Sequence, residues 1–322
     1  MGAIAQQLSL FIYNNIIRSS ISGKNPRFWI KARKRVLRYC DPVIDMNLDD
    51  VQISINLSHN LPINYISNEK YDRLLPKVCS YLQCEQGFMK LIDVGANVGD
   101  TVCFVDKKSN GLALCVEGDS KYTSLLQKNA SRLKNLQITI APVFCTEEDS
   151  TNQAYDIKNG GGTSTLVATD SENTVPLMTL DALVAQFSDF SDANILKIDT
   201  DGFEAKTLMG GKKYIASAKP MVFFEFVPRN FIYKQLPDSE EEESFLILNS
   251  MGYDSALFFD NAGCYQGQVK TSDSVAIKEL ICKINMRDIC YYDILTCHKD
   301  NTTHEGILTR IRLEEKAGSP SA

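Results

Sequence analysis

The sequence predicts an α/β fold: a mostly parallel sheet with helices on both faces, preceded by a helical N-terminal extension. Three observations predict it. Short continuous apolar runs recur from residue 88 onward, as strands buried on both faces of a parallel sheet require. Segments with helical apolar spacing separate them, which implies crossover connections. The first run, "FMKLIDV", empties into the glycine turn "GANVGDT", where sheets of this kind hold ligands.

Residues 1–85 read mostly as helix and loop, forming the extension. Residues 4–21 are apolar in places, but Gln6, Gln7, Asn14, Asn15 and Arg18 interrupt them, and the stretch lacks the features of a secretory signal. A basic segment follows: Lys24, Arg27, Lys31, Arg33, Lys34, Arg35 and Arg38. The pair reads either as an amphipathic helix on an anionic membrane or as a helix packed on the protein's own body. "SHNLPINY" reads as a Pro turn, and "EKYDRLLPKVCSYL" as a helix kinked or restarted at Pro76.

Residues 86–300 form the ligand-binding domain. "FMKLIDV", "GLALCVE", "LQITIAPVF", "NILKIDT" and "PMVFFEF" are its strands, with helices at 98–107, 120–133, 204–216 and 241–251. "YDSALFFD" and "DICYYDILTC" are two further strands, joined by a long connection and paired antiparallel. "NGGGTSTL", residues 159–166, is too glycine-rich for a regular element and reads as a lid or acceptor loop. Residues 301–322 read as a flexible, charged tail.

Composition narrows the function. The chain has 322 residues, 44% hydrophobic and 23% charged, with net charge -6, which argues against a general nucleic-acid coat. An acidic run occupies Asp238 and residues 240–243. Ten cysteines without a CxxC pair suggest buried thiols in a reducing, cytoplasmic compartment rather than a disulfide framework. Three histidines make no zinc pattern, and no apolar run reaches membrane-spanning length.

In the turn after the first strand, Gly95 and Gly99 allow a sharp bend and close approach of a ligand, and Asn97 tolerates left-handed φ. The following helix offers N–H groups to an anionic group. Glu117 ends the second strand 18 residues after Gly99, the position from which a carboxylate commonly holds a ribose diol. An adenosine-bearing ligand follows. NAD-binding turns read G-x-G-x-x-G, a triplet that D-V-G-A-N-V-G lacks. Asp93 at the head of the turn would repel a pyrophosphate and suits the ammonium and sulfonium of S-adenosylmethionine.

"IDVGANVGDT", "VEGD", "TLDAL", "LKIDTDGFE…LMGG", "PMVFFEFVP" and "YYDIL" resemble, in order, the blocks of the FkbM-type S-adenosylmethionine-dependent methyltransferase family. The resemblance covers residues 61–298, and "HNLPINY…YDRLL" is similar to the lead-in before the first block. It implies a Rossmann-like class I methyltransferase with a seven-stranded sheet whose last strand is antiparallel. It also implies methyl transfer to a hydroxyl of a sugar, glycan or secondary-metabolite scaffold. One departure is Asp199-Thr200-Asp201-Gly202 where the family block often reads D-x-E-G, a side chain one methylene shorter.

The cofactor-binding candidates are Asp93, Gly95, Ala96, Asn97, Gly99 and Thr101 in the turn, and Glu117, Gly118 and Asp119 after the second strand. The resemblance adds Cys145 and Thr146 against an adenine edge. Methyl transfer to a hydroxyl needs a base or a metal near the acceptor. Asp199, Asp201 and Glu204 are the catalytic candidates, as base and orienter or as ligands of a hard cation such as Mg²⁺, although no metal site is assigned. Lys197 shares a strand face with Asp199 and reads first as the neutraliser of a carboxylate. Glu225, Ser164 (or Thr163) and His59 are the acceptor-binding candidates. The alternatives are a Rossmann enzyme that binds NAD or a nucleotide-sugar, and a non-catalytic adaptor that keeps the fold. The partners expected are a small-molecule or glycan acceptor and, through the basic segment, a peripheral membrane surface.

Overall fold

The computed structural model describes residues 2–149, 155–160, 163–168, 176–227, 242–286 and 291–318. The acidic run at 238–241 lies outside the described residues. Two helices open the chain, α1 (Gly2–Ile21) and α2 (Arg27–Leu37), followed by an antiparallel hairpin, β1 (Val43–Leu48) and β2 (Val51–Asn56). The hairpin departs from the helix and loop expected of residues 1–85. Its basis is alternation: Ile44, Met46, Leu48, Val51, Ile53 and Ile55 are buried at every second position. Asp49 and Asp50 between the strands both take positive φ, 45° and 42°, as a two-residue primed turn requires. Helices α3 (Leu61–Ser67) and α4 (Leu74–Gln86) complete the extension. Pro62 and Pro76 fall in their first turns, where an N–H is not needed, so neither the Pro turn nor the kink at Pro76 occurs.

Strands and helices then alternate: β3 (Lys90–Val94), α5 (Asp100–Val105), β4 (Gly111–Val116), α6 (Ser120–Ala130), β5 (Leu136–Ala141), β6 (Phe144–Thr146), β7 (Tyr155–Gly160), β8 (Thr163–Ala168), β9 (Leu177–Thr179) and α7 (Leu180–Gln186). The second half holds β10 (Ile195–Ile198), α8 (Glu204–Gly210), α9 (Lys212–Ala218), β11 (Met221–Phe226), α10 (Glu243–Ser250), β12 (Ser255–Asp260), β13 (Tyr265–Lys270), α11 (Ser274–Met286), β14 (Tyr292–Thr296) and α12 (Thr302–Gly318).

The main sheet has eight strands in the order β13-β12-β14-β11-β10-β3-β4-β5. β3, β4, β5, β10 and β11 are parallel, and β14 inserts antiparallel between β11 and β12. The seven expected strands are joined by an eighth, β13, at the β12 edge. Within the stretch 159–166, expected to be irregular, the described residues 159–160 and 163–166 belong to strands β7 and β8, which pair antiparallel. The segment expected as a flexible tail is mostly helix α12, which buries Ile307, Leu308 and Ile311 and ties back through Lys70–Glu315 and Lys77–Glu314 pairs, both 2.8 Å.

Both sheet faces are buried. Ile92, Val94, Leu114, Val116, Leu196, Ile198, Val222 and Phe224 pack under α7 to α11. Leu91, Ala113, Cys115, Ile195, Met221 and Phe223 pack under α4, α5 and α12. A third cluster joins Tyr13 of α1, the β1–β2 hairpin and α3 to Phe104 of α5 and Tyr122 of α6. The extension therefore shares a core with the first two crossover helices, and this brings residues 59–72 over the carboxyl ends of the strands.

Candidate active site

The strand order reverses between β10 and β3, and a cavity of about 310 Å³ opens at the carboxyl ends there. Gly95 lines it with φ +80°, and a Cβ at that position would stand 1.7 Å from the Asp199 carbonyl oxygen. The glycine thus lets the turn pass against the end of β10, a constraint from the protein's own backbone.

Every N–H of the turn is used within the protein. Those of Gly95 and Ala96 donate to the Val116 carbonyl at 2.9 and 3.0 Å, and that of Gly99 to the Ala96 carbonyl at 2.8 Å. The Asn97 N–H donates to Glu117 Oε2 at 2.9 Å and the Val98 N–H to Asn97 Oδ1 at 2.8 Å. Asp100, at the start of α5, stands on the cavity wall, and burial raises its pKa. The helix start expected to offer N–H groups to an anion therefore has an acidic side chain, Asp100, on the cavity wall beside it. A pyrophosphate would meet an acidic side chain beside a turn whose N–H groups, from Gly95 to Gly99, are already used.

Glu117 lines the cavity from the end of β4. Its Oε1 accepts the Asp119 N–H at 2.7 Å and its Oε2 that of Asn97. Each oxygen keeps a second acceptor site. Burial pushes its pKa up to about 7 against the lowering effect of those two N–H groups. Gly118 also lines the cavity, and a Cβ there would stand 2.1 Å from the Phe144 ring, which is therefore laid flat against the backbone beside Glu117. Cys145 and Thr101 are on the wall too. Ala96, Gly99 and Asp119 shape the turns behind it, and Asp119 caps α6 by accepting the Lys121 N–H. Thr146 is buried behind Cys145.

Asp93 is placed differently from expectation. It is fully buried, off the cavity wall, and its Oδ1 lies 3.1 Å from Lys197 Nζ. Asp93 and Lys197 are register partners on adjacent parallel strands. Lys197 Nζ also lies 3.2 Å from Asp199 Oδ2, whose side chain is 41% exposed. Burial alone would lower the lysine pKa, but the charges of Asp199, Asp93 and Asp100 outweigh it and hold the pKa above its ordinary value. Lys197 is thus a charged strut between one buried and one exposed carboxylate.

Asp201 lines the cavity with φ +50°, and burial together with the charges of Asp199 and Glu204 raises its pKa to about 8. Glu225, on the β11 wall, is raised well above the carboxylate range by burial and by Asp199, Asp201 and Asp293. Glu204 is off the wall. Its Oε1 accepts from the Thr200 N–H and hydroxyl at 3.0 and 3.1 Å and from the Gly202 N–H at 3.1 Å. It holds the 199–202 turn in shape and does not face the cavity, which corrects its catalytic assignment.

His59 reaches the wall from the extension, 8% exposed. Its Nδ1 accepts the Leu61 N–H at 3.2 Å, so Nε2 carries the proton and donates to Asn97 Oδ1 at 3.2 Å. Burial pushes its pKa down to about 4. A neutral ring with both nitrogens engaged positions Asn97 and is not a free base. Ser164 falls in β8, and its side chain lies outside the described residues. The structure adds wall residues that the sequence reading passed over: Tyr71, Asp72, Asp100, Phe144, Phe203 and Tyr291. Asp72 and Tyr291 belong to the quoted blocks "YDRLL" and "YYDIL", and Asp100 ends "VGD"; each is a polar residue at the edge of an apolar run. Among the described residues, no group of His, Cys, Asp and Glu is arranged to hold a metal ion, and no helix is long and apolar enough to cross a membrane.

The model of the methyltransferase FkbM domain matches residues 93–255, half of the chain. No curated protein matches it in sequence. Among solved structures, the methyltransferase FkbM from Methylobacillus flagellatus KT is 18% identical, with 53% of this chain and 40% of that chain covered and a TM-score of 0.37. The chain thus spans about two fifths of that protein's length. Magnesium protoporphyrin IX methyltransferase from Synechocystis PCC 6803, solved with bound S-adenosylmethionine, is 10% identical over 74% of this chain and 82% of that one, TM-score 0.39. Precorrin-6y C5,15-methyltransferase from Geobacter metallireducens GS-15 is 11% identical over 70% and 89%, TM-score 0.36.

Proposed function

Because the chain belongs to the FkbM methyltransferase family, whose cofactor is S-adenosylmethionine, we propose that it transfers a methyl group to a hydroxyl of a neutral, polyhydroxylated acceptor. Sugars, glycans and hydroxylated secondary-metabolite scaffolds are the acceptor classes meant. The cofactor supplies an electrophilic methyl group on a sulfonium.

The β4 side of the cavity suits the nucleoside. Glu117 offers its two remaining acceptor sites to a ribose diol, and Phe144 beside Gly118 offers a flat face to the adenine. The turn's consumed N–H groups favour a ligand without phosphate there.

The observation that carries the acceptor reading lies on the β10–β11 side. Asp199, Asp201 and Glu225 share that wall, where burial and neighbouring carboxylates raise the pKa of Asp201 to about 8 and that of Glu225 well above its ordinary value. Asp199, held 3.2 Å from Lys197, accepts a hydrogen bond from the attacking hydroxyl and takes its proton as the new C–O bond forms. Asp201, its pKa raised to about 8, donates to a neighbouring hydroxyl oxygen, and the upward shift of Glu225 favours the same role for it. Alternating donors and acceptors match a polyol, and the surplus of carboxylates repels phosphate- or uronate-bearing acceptors.

The test is transfer of radiolabelled methyl from S-adenosylmethionine to paired acceptors: neutral glycans and their uronate or phosphate counterparts. Label in an alkali-stable ether on the neutral member is expected. Label in an alkali-labile ester, on nitrogen, or on the anionic member instead would overturn the reading.

A further inference from the structure

We propose that helices α1 and α2 form a docking surface for an anionic lipid membrane, with Phe28 and Phe11 as apolar anchors inside a ring of Lys and Arg. Charge is the first observation. Residues 1–40 contain eight Lys or Arg and no Asp or Glu, in a chain whose net charge is -6. Lys24, Arg27, Lys31, Lys34, Arg35 and Arg38 are all exposed, and none forms an ion pair among the described residues. Elsewhere the surface cations are commonly matched, as Lys121 is with Asp41 and Lys128 with Asp45.

Apolar exposure is the second, independent observation. Half of the large exposed hydrophobics of the described residues lie in this segment: Leu8 at 51%, Phe11 at 55%, Ile21 at 69%, Phe28 at 71% and Tyr39 at 86%. Trp29 bridges two of them, with its ring edge-on to Phe11 at 5.5 Å and to Phe28 at 5.0 Å. Phe28, Lys31 and Arg35 follow the i, i+3, i+7 spacing of one helical face. Aromatic and aliphatic anchors interleaved with cations are what an acyl–headgroup boundary accepts.

The surface is preformed. Arg33, on the opposite face of α2, donates to the carbonyls of Leu57 at 2.7 Å, Ser58 at 2.6 Å and His59 at 3.0 Å, and to Asn60 Oδ1 at 3.0 Å. α2 is thereby bolted to the loop that brings His59 to the cavity wall. A second copy of the chain is a poor occupant, since two uniformly cationic faces repel. A single-stranded nucleic acid could stack on Phe11, Phe28 and Tyr39, but it gives the exposed aliphatic side chains of Leu8 and Ile21 no apolar phase to enter, which an acyl layer does.

The test uses the full chain in vesicle flotation, with vesicles of neutral phosphatidylcholine or of phosphatidylcholine with phosphatidylserine. Binding to the anionic vesicles alone, weakened by salt, is expected. Lys31→Ala/Arg35→Ala should lower partitioning at least tenfold, at about fivefold per cation removed. Phe11→Ser/Phe28→Ser should lower it comparably, and both pairs should leave the melting temperature unchanged because the side chains are exposed. No vesicle binding, equal binding to neutral vesicles, unchanged binding of both double variants, or tighter binding to single-stranded RNA than to anionic vesicles would each overturn the proposal.

Discussion

Asp93 and Lys197 face each other across two parallel strands, and the lysine ammonium lies 3.1 Å from a carboxylate that has no exposure. The pair occupies a sheet face otherwise built of Leu91, Ile195 and Phe223. Removing one partner strands the other's charge. Lys197→Met is expected to cost about 3–5 kcal/mol. Adding Asp93→Asn should recover most of that loss. Denaturant unfolding of the two single variants and the double variant measures the coupling; additive losses would show that the two charges do not depend on each other.

Asp199 is the exposed end of the same chain of charges. As the proton acceptor, it matters to turnover and little to cofactor binding. Asp199→Asn should keep its affinity for S-adenosylhomocysteine within a factor of about two while kcat falls about 10²–10⁴-fold. Calorimetry and a methyl-transfer assay on one preparation separate the two quantities. An equal loss in both would reassign Asp199 to binding.

Glu117 makes cofactor binding depend on pH. With its pKa pushed up to about 7, the group is mostly protonated at pH 6 in the ligand-free protein. A ribose diol needs the carboxylate, so binding takes up the cost of deprotonation there. Affinity for S-adenosylhomocysteine should fall about tenfold from pH 8 to pH 6, one pH unit below the pKa. Glu117→Gln should bind at least about tenfold more weakly at pH 8, having lost a charge-assisted hydrogen bond. It should also show a flat profile over the same range.

Asp201 makes stability depend on pH in the opposite sense from an ordinary surface carboxylate. Its folded pKa is raised to about 8 by burial and by the charges of Asp199 and Glu204. From about pH 4 upward the unfolded chain has lost this proton while the folded chain keeps it, so stability declines until the folded group also ionises near pH 8. Asp201→Asn should therefore melt about as the parent does at pH 4 and higher at pH 8. A gain of about 1 kcal/mol corresponds to about 2–4 °C in a domain of this size class. A lower melting point at pH 8 would mean that the ionised carboxylate is stabilised in the fold.

The parallel core was legible because "FMKLIDV", "GLALCVE" and "NILKIDT" are short apolar runs broken by helical spacing, and buried parallel strands have no other signature. The β1–β2 hairpin was legible as well but went unread. Val43 to Leu48 and Val51 to Asn56 alternate with period two around an Asp-Asp turn, and the neighbouring basic helix drew the helical reading over them. α12 carries Ile307, Leu308 and Ile311 at helical spacing, hidden by its charged outer face. In the site, the positions of Gly95 and Glu117 followed from sequence because strand ends and turns fix them locally. The partner of Asp93 did not. Lys197 lies 104 residues away, and only the sheet register brings the two side chains together. Glu204 has the same cause: a carboxylate at a helix start can face a ligand or its own turn, and that choice depends on the φ of residues 201 and 202.

Calorimetric titration of the protein with S-adenosylhomocysteine and, separately, with NAD⁺, on the parent and on Glu117→Ala, decides which cofactor the β3–β4 side of the cavity holds. Saturable binding of the homocysteine nucleoside is expected, with loss of that binding in the variant and no binding of NAD⁺, whose pyrophosphate meets a turn with its N–H groups already used. Binding of NAD⁺ by the parent, or unaltered homocysteine-nucleoside binding by Glu117→Ala, would contradict the assignment of the cofactor to the β3–β4 side of the cavity.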